Sequence, residues 1–171
     1  MNDEEAYIRI DALDILTSYL DQLPLEDIEN EYMKEVVRTA AAPDPSDPSS
    51  SSSAATVVVG AISEGIQIRL AEIIGKIAYG VKPFGMDKKY RGVFLNFFKY
   101  IANHKELKLR RLAAFNLPCF NQLFKEYQEE YEIDFNEIIL KYAKEEDSQI
   151  VKTMAASIHE AFDMSGAEED T

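Results

Sequence analysis

Tryptophan is absent from the 171 residues, and cysteine occurs once, at Cys119. A lone thiol forms no internal disulfide and supplies too few ligands for a structural zinc site, so neither kind of cross-link holds the fold. The chain is long enough to do without one, because a domain of about 150 residues buries most of its apolar surface. Leu117, Pro118 and Phe120 surround the cysteine in sequence, a setting that predicts a buried, unreactive thiol. Histidine is nearly as scarce. His104 and His159 lie 55 residues apart with no HExxH spacing, which leaves a metal without ligands and predicts no cofactor. Glycine is sparse as well, and Gly75, Gly80 and Gly85 form neither a GxGxxG nor a Walker pattern, so no loop is built to cradle phosphates.

The other deficit is in positive charge. Eighteen Lys and Arg face 31 Asp and Glu, a net charge of −13, which repels a phosphate backbone and argues against nucleic acid as a partner. No apolar run approaches the ~18 residues that would mark a bilayer span, so membrane insertion is not expected. Met1 to Glu5 is acidic rather than basic and leads straight into an amphipathic pattern. Such a start lacks the regions of a signal peptide and predicts a cytoplasmic protein.

Helical periodicity fills most of the chain. Ile8, Leu13, Ile15, Leu16, Leu20 and Leu23 recur at helical spacing until Pro24 stops them, and Ile28, Tyr32, Val36 and Val37 mark a second helix over 27–39. Residues 40–61 contain three prolines and a serine run, a composition that predicts a disordered insertion. Further helices are expected over 62–79, over 88–102 with Tyr90, Val93, Phe94, Phe97, Phe98 and Ile101 on one stripe, over 107–127 with a kink at Pro118, and over 135–144 and 148–162. Residues 163–171 form an acidic tail that is expected to fray.

A repeat underlies these helices. In four of them an acid precedes a base by five residues, with an aliphatic residue directly before the base, or two before it at Arg111: Glu4 and Arg9, Glu64 and Arg69, Glu106 and Arg111, Asp147 and Lys152. Leu109 and Val151 are 42 residues apart and Ile68 and Leu109 are 41, inside the ~40–47 of HEAT and armadillo units. The gap from Ile8 to Ile68 is 60, and the surplus of 19 matches the insertion. The predicted fold is therefore all-α, a HEAT/armadillo-like superhelix of about four hairpins filling 1–39 and 62–162. Ile8, Leu13, Leu112, Leu117, Met154 and Ile158 are expected between hairpins, with small residues such as Ala12 and Ala113 allowing close approach. The first helix reads as the second member of a hairpin, which points to a fragment or to ends covered by association.

The segment KYRGVFLNFFKYIANHKELKLRRLAAFNLPCFNQLF, Lys89 to Phe124, resembles the HEAT-repeat regulatory subunits of type 2A-family serine/threonine phosphatases, and Glu145 to Phe162 is similar to the following repeat. The resemblance covers Glu4 to Leu23 and Ile62 to Phe162. It implies a non-catalytic scaffold that binds a protein phosphatase 4-like catalytic subunit and influences its substrates or location. Such subunits are much longer than this chain. A solenoid of this kind also serves as a transport or vesicle adaptor that binds protein cargo, and fold alone does not separate the two. Turns within repeats line one edge of a stack. That edge should carry Glu64, Lys105, Glu106, Lys108 and Asp147, with the Lys105 and Lys108 turn near its middle as the contact for a protein partner. The acids at 145–147 otherwise read as the stabilising start of a helix.

Overall fold

A computed structural model describes residues 3–40, 64–84, 88–145, 147 and 149–153. The expected insertion, the acidic tail and most of the last predicted helix lie outside the described residues. Every regular element among those described is helical. The chain divides after Tyr100 into two compact units.

In the first unit α1 spans Asp3–Thr17, with Glu4 and Glu5 in its first turn, where the helix dipole favours acids. A 3-10 turn, Leu20–Gln22, and extended Leu23 carry the chain to Pro24, whose carbonyl accepts from the Asp27 and Ile28 amides at 3.0 and 3.1 Å. The second helix, α2, runs over 25–40 in three parts: an α-turn Leu25–Asp27, a π-turn Ile28–Tyr32 and α-helical Met33–Ala40. Its buried side is Ile28, Tyr32, Met33, Val36 and Ala40. Arg9 lies against Glu35 and Thr17 against Tyr32, so α2 runs antiparallel to α1. The next helix, α3, is Glu64–Val81. Asp11 and Asp14 meet Arg69, Asp14 also meets Lys76, and Thr17 adjoins Gly80. Partners climb together along both helices, so α1 and α3 are parallel. A 3-10 turn, Lys82–Phe84, precedes α4, Lys88–Ala102, which buries Phe94, Leu95, Phe97 and Phe98 in this unit and whose last two residues, the buried Ile101 and Ala102, belong to the second.

The inner face of α1 differs from the expected one. Ala6, Ile10, Leu13, Thr17 and Leu20 are buried at intervals of four, three, four and three, whereas Ile8, Ala12 and Ile15 are exposed. Two apolar stripes compete on this helix, and packing against α3 selects the one with a small residue and a threonine in it. The four aliphatic residues that anchored the repeat also differ in setting: Leu109 is buried, Ile68 half-buried, and Ile8 and Val151 exposed. Leu13 and Leu117 are buried as expected, Leu112 is half-buried, and Met154 and Ile158 fall outside the described residues.

The second unit contains α5, Leu107–Phe124, and α6, Phe135–Ala143, with a 3-10 turn Lys125–Tyr127 after α5 and a helical stretch over 149–153. Leu109, Ala113, Ala114, Leu117, Phe120, Phe124, Ile133, Phe135, Tyr142 and Ile150 form its core, and the Phe120 and Phe124 rings stand 5.3 Å apart. Helix α5 continues through Pro118. Cys119 is half-buried rather than buried, because Leu117 and Phe120 take the inward positions on either side of it. Asp134 caps α6 by accepting from the Glu137 amide at 3.0 Å, as carboxylates at helix starts do.

Candidate protein-binding surfaces

The turn between α4 and α5 is strapped from several sides. Tyr142 donates its hydroxyl to the Ala102 carbonyl at 2.9 Å, and Lys141 donates to Asn103 Oδ1 at 3.2 Å. Burial pushes the Tyr142 hydroxyl well above its ordinary range, which keeps it a neutral donor. His104 accepts the Glu106 amide on Nδ1 at 3.0 Å, so this polar turn residue orders the loop. Arg110 donates to the carbonyls of His104 and Lys105 at 3.0 and 2.8 Å, and its Nε faces Glu145 at 3.4 Å. Glu106 caps α5, accepting from the Lys108 amide.

Arg111 then forms a two-pronged pair with Asp147, Nε to Oδ1 at 3.1 Å and Nη2 to Oδ2 at 2.6 Å. Asp147 also accepts the Gln149 and Ile150 amides at 3.1 and 3.0 Å. The hydrogen bonds from Arg111 and from the Ile150 amide hold its carboxyl down to about 2. Asp147 was expected with Lys152 in the repeat pattern; instead it joins the start of α5 to the start of the next helix.

Of the five residues placed on the binding edge, Lys105, Glu106 and Lys108 share one turn of the second unit. The two lysines are exposed and Glu106 is half-buried. Asp147 belongs to the same unit, with only 15% of its side chain exposed. Glu64 is exposed on the first turn of α3, in the first unit. The bases of the repeat pattern reach acids on other helices: Arg9 to Glu35, Arg69 to Asp11 and Asp14, and Arg111 to Asp147. Sequence spacing detects these bases but does not say which acid on which helix each one meets, because a one-dimensional pattern carries no packing.

A second surface was not anticipated. Between α1 and α2 lies a groove of about 280 Å³ with Ala12, Leu13, Leu16, Leu23 and Tyr32 on its floor and Arg9, Asp27, Glu31 and Glu35 on its rim. Thr17 holds the floor from behind. Its hydroxyl donates to the Leu13 carbonyl at 2.5 Å and accepts from the Tyr32 hydroxyl at 2.6 Å. Burial is the main reason the Tyr32 hydroxyl is pushed up to about 12. The signal available in the sequence was the spacing of Asp27, Glu31 and Glu35 at four-residue steps, together with the surplus of apolar residues on α1.

Among the described residues no three His, Cys, Asp or Glu side chains converge as metal ligands, and no helix is long and apolar enough to cross a membrane. Comparison with family models, curated proteins and solved structures finds no match to the chain.

Proposed function

We propose that the chain is a non-catalytic, HEAT-type helical scaffold that binds a protein phosphatase 4-like catalytic subunit through the turn carrying Lys105 and Lys108. The observation that carries this reading is the turn itself. Its backbone is fixed by Tyr142, His104 and Arg110, while two lysines stand exposed on it in a chain of net charge −13. A rigid turn with local charge opposite to the rest of the molecule suits recognition of an acidic protein surface, because little ordering entropy is lost on binding. The arrangement of the first unit supports the solenoid part of the reading. Helices α1 and α3 lie side by side in one direction and α2 returns against α1, the order found in stacked helical hairpins.

The test is Lys105→Glu with Lys108→Glu, measured for binding to a purified phosphatase catalytic subunit over a salt series. Association should slow several-fold at low salt, and the salt dependence should flatten. Unchanged affinity and slope would remove the turn from the interface. Affinity purification tests the partner class, since recovery of coat or import factors in place of phosphatase chains would overturn the phosphatase assignment.

A further inference from the structure

Helix α1 holds more apolar side chains than one packing face needs. Its inward stripe, from Ala6 to Leu20, is complete. On the opposite side Ile8, Ile15 and Tyr19, the last just past the helix end, are 64%, 62% and 51% exposed. Single exposed apolar residues are ordinary, but a contiguous row on one helix marks a surface for a partner. Ala12 and Leu16 join this row to the groove described above.

The acid rim of that groove follows from four-residue spacing along α2, tightened by its π-turn. An α-helix advances about 100° per residue, so residues four apart drift by about 40° at each step. From Asp27 to Glu35 that drift would come to about 80°. The π-turn, closed by the Met33 amide on the Ile28 carbonyl, is wider and reduces the drift between Asp27 and Glu31, and all three acids line one groove. The basic residue on the rim, Arg9, sits 3.7 Å from Glu35.

We propose that this groove binds an amphipathic helix of a partner protein, with apolar side chains three and four residues apart entering over Leu16 and Leu23, and lysines or arginines along the flank that meets Asp27 and Glu31. A volume of about 280 Å³ is small for a drug-sized ligand, for which pockets run ~300–1,000 Å³. A groove continuing into an exposed apolar row is the geometry of helix recognition. The rim sets the sign of the partner's charge. A second copy of a chain at −13 would bring like charge to an acidic rim, as would an anionic lipid or nucleic acid. The floor is preformed, since Thr17 fixes both Leu13 and Tyr32, and a preformed site loses less entropy on binding. The proposal is independent of the Lys105 turn, which shares no residue with it.

The probe is a fluorescent synthetic helical peptide of leucines at three- and four-residue spacing flanked by lysines, titrated with the full chain and followed by anisotropy. The chain should bind it saturably, and Leu16→Glu should weaken binding at least tenfold. Asp27→Lys with Glu31→Lys should weaken it several-fold and flatten its salt dependence, while Glu129→Lys in the second unit should change neither. Circular dichroism checks that Leu16→Glu folds, and Ile15→Glu, at a more exposed position, serves if it does not. Three results would each overturn the proposal: equal binding by wild type and both glutamate variants, equal binding of a peptide whose lysines are replaced by glutamates, or a homodimer in sedimentation that Leu16→Glu dissociates.

Discussion

Replacing Thr17 with valine keeps the shape of the side chain but removes the oxygen that accepts from Tyr32 across 2.6 Å. Tyr32 is 3% exposed, so its hydroxyl cannot turn to water. Leaving a buried donor without a partner costs about 1–3 kcal/mol. The reverse change, Tyr32→Phe, leaves Thr17 satisfied by the Leu13 carbonyl and should cost only about 1 kcal/mol, the worth of one ordinary hydrogen bond. In the double variant no donor is orphaned. Its loss should therefore stay near that of Tyr32→Phe alone, about 1 kcal/mol rather than the ~3 kcal/mol of an additive pair. Urea unfolding followed by far-ultraviolet circular dichroism reads the difference. With a slope of ~2 kcal/mol/M, Thr17→Val should lower the midpoint by about 1 M. A loss under about 0.5 kcal/mol for Thr17→Val, or strict additivity in the double variant, would refute the idea that this pair holds α1 against α2.

At Gly80 an added Cβ would stand 3.0 Å from Thr17 Cγ2 and 3.2 Å from Leu20 Cδ1. Gly80→Ala should destabilise the protein despite the ~1 kcal/mol that alanine gains over glycine in a helix, and Thr17→Ser, which deletes that methyl but keeps the hydroxyl, should reverse the sign in thermal unfolding. Glu132 has φ of 53°, a left-handed conformation costing about 1–2 kcal/mol for a residue with a Cβ. It sits where the Ile133 amide returns to the Gln128 carbonyl at 3.0 Å, so Glu132→Gly should raise stability by about 0.5–1 kcal/mol after glycine's own entropy is counted; a lower unfolding midpoint would refute the strain. The folded carboxyl of Asp147 titrates near 2, below the ~3.9 of an unfolded aspartate. Its contribution is complete above about pH 4 and is lost as pH falls from there through 2, so Asp147→Asn should flatten that part of the stability curve, and an unchanged acid limb would show that the pair with Arg111 adds nothing.

The sequence by itself determined the helical class and most helix positions, because period and punctuation are local properties. The second helix began just after Pro24, α6 began at Phe135 as its pattern required, and the Phe94, Phe97 and Phe98 stripe of α4 turned inward, whereas the first helix stopped at Thr17, short of the expected Pro24. The groups tying α5 to the next helix start were visible too, since Arg111 and Asp147 both stood out in the repeat pattern. Only the tertiary structure decided which acid each base meets. Arg69 passes over Glu64 in the pattern and takes Asp11 and Asp14 from a helix more than fifty residues away. It also decided the inward face of α1, where periodicity allowed two apolar stripes and the close approach of α1 to Gly80 of α3 admitted the one bearing Thr17. The groove follows from that choice. Burying Leu13 and Thr17 against neighbouring helices leaves Ala12 and Leu16 on its floor, and a π-turn that no residue pattern announced brings Asp27 closer into line with Glu31 beside them. Burial of one face over another is settled by the shape of the neighbour, which a chain acquires only when it is folded.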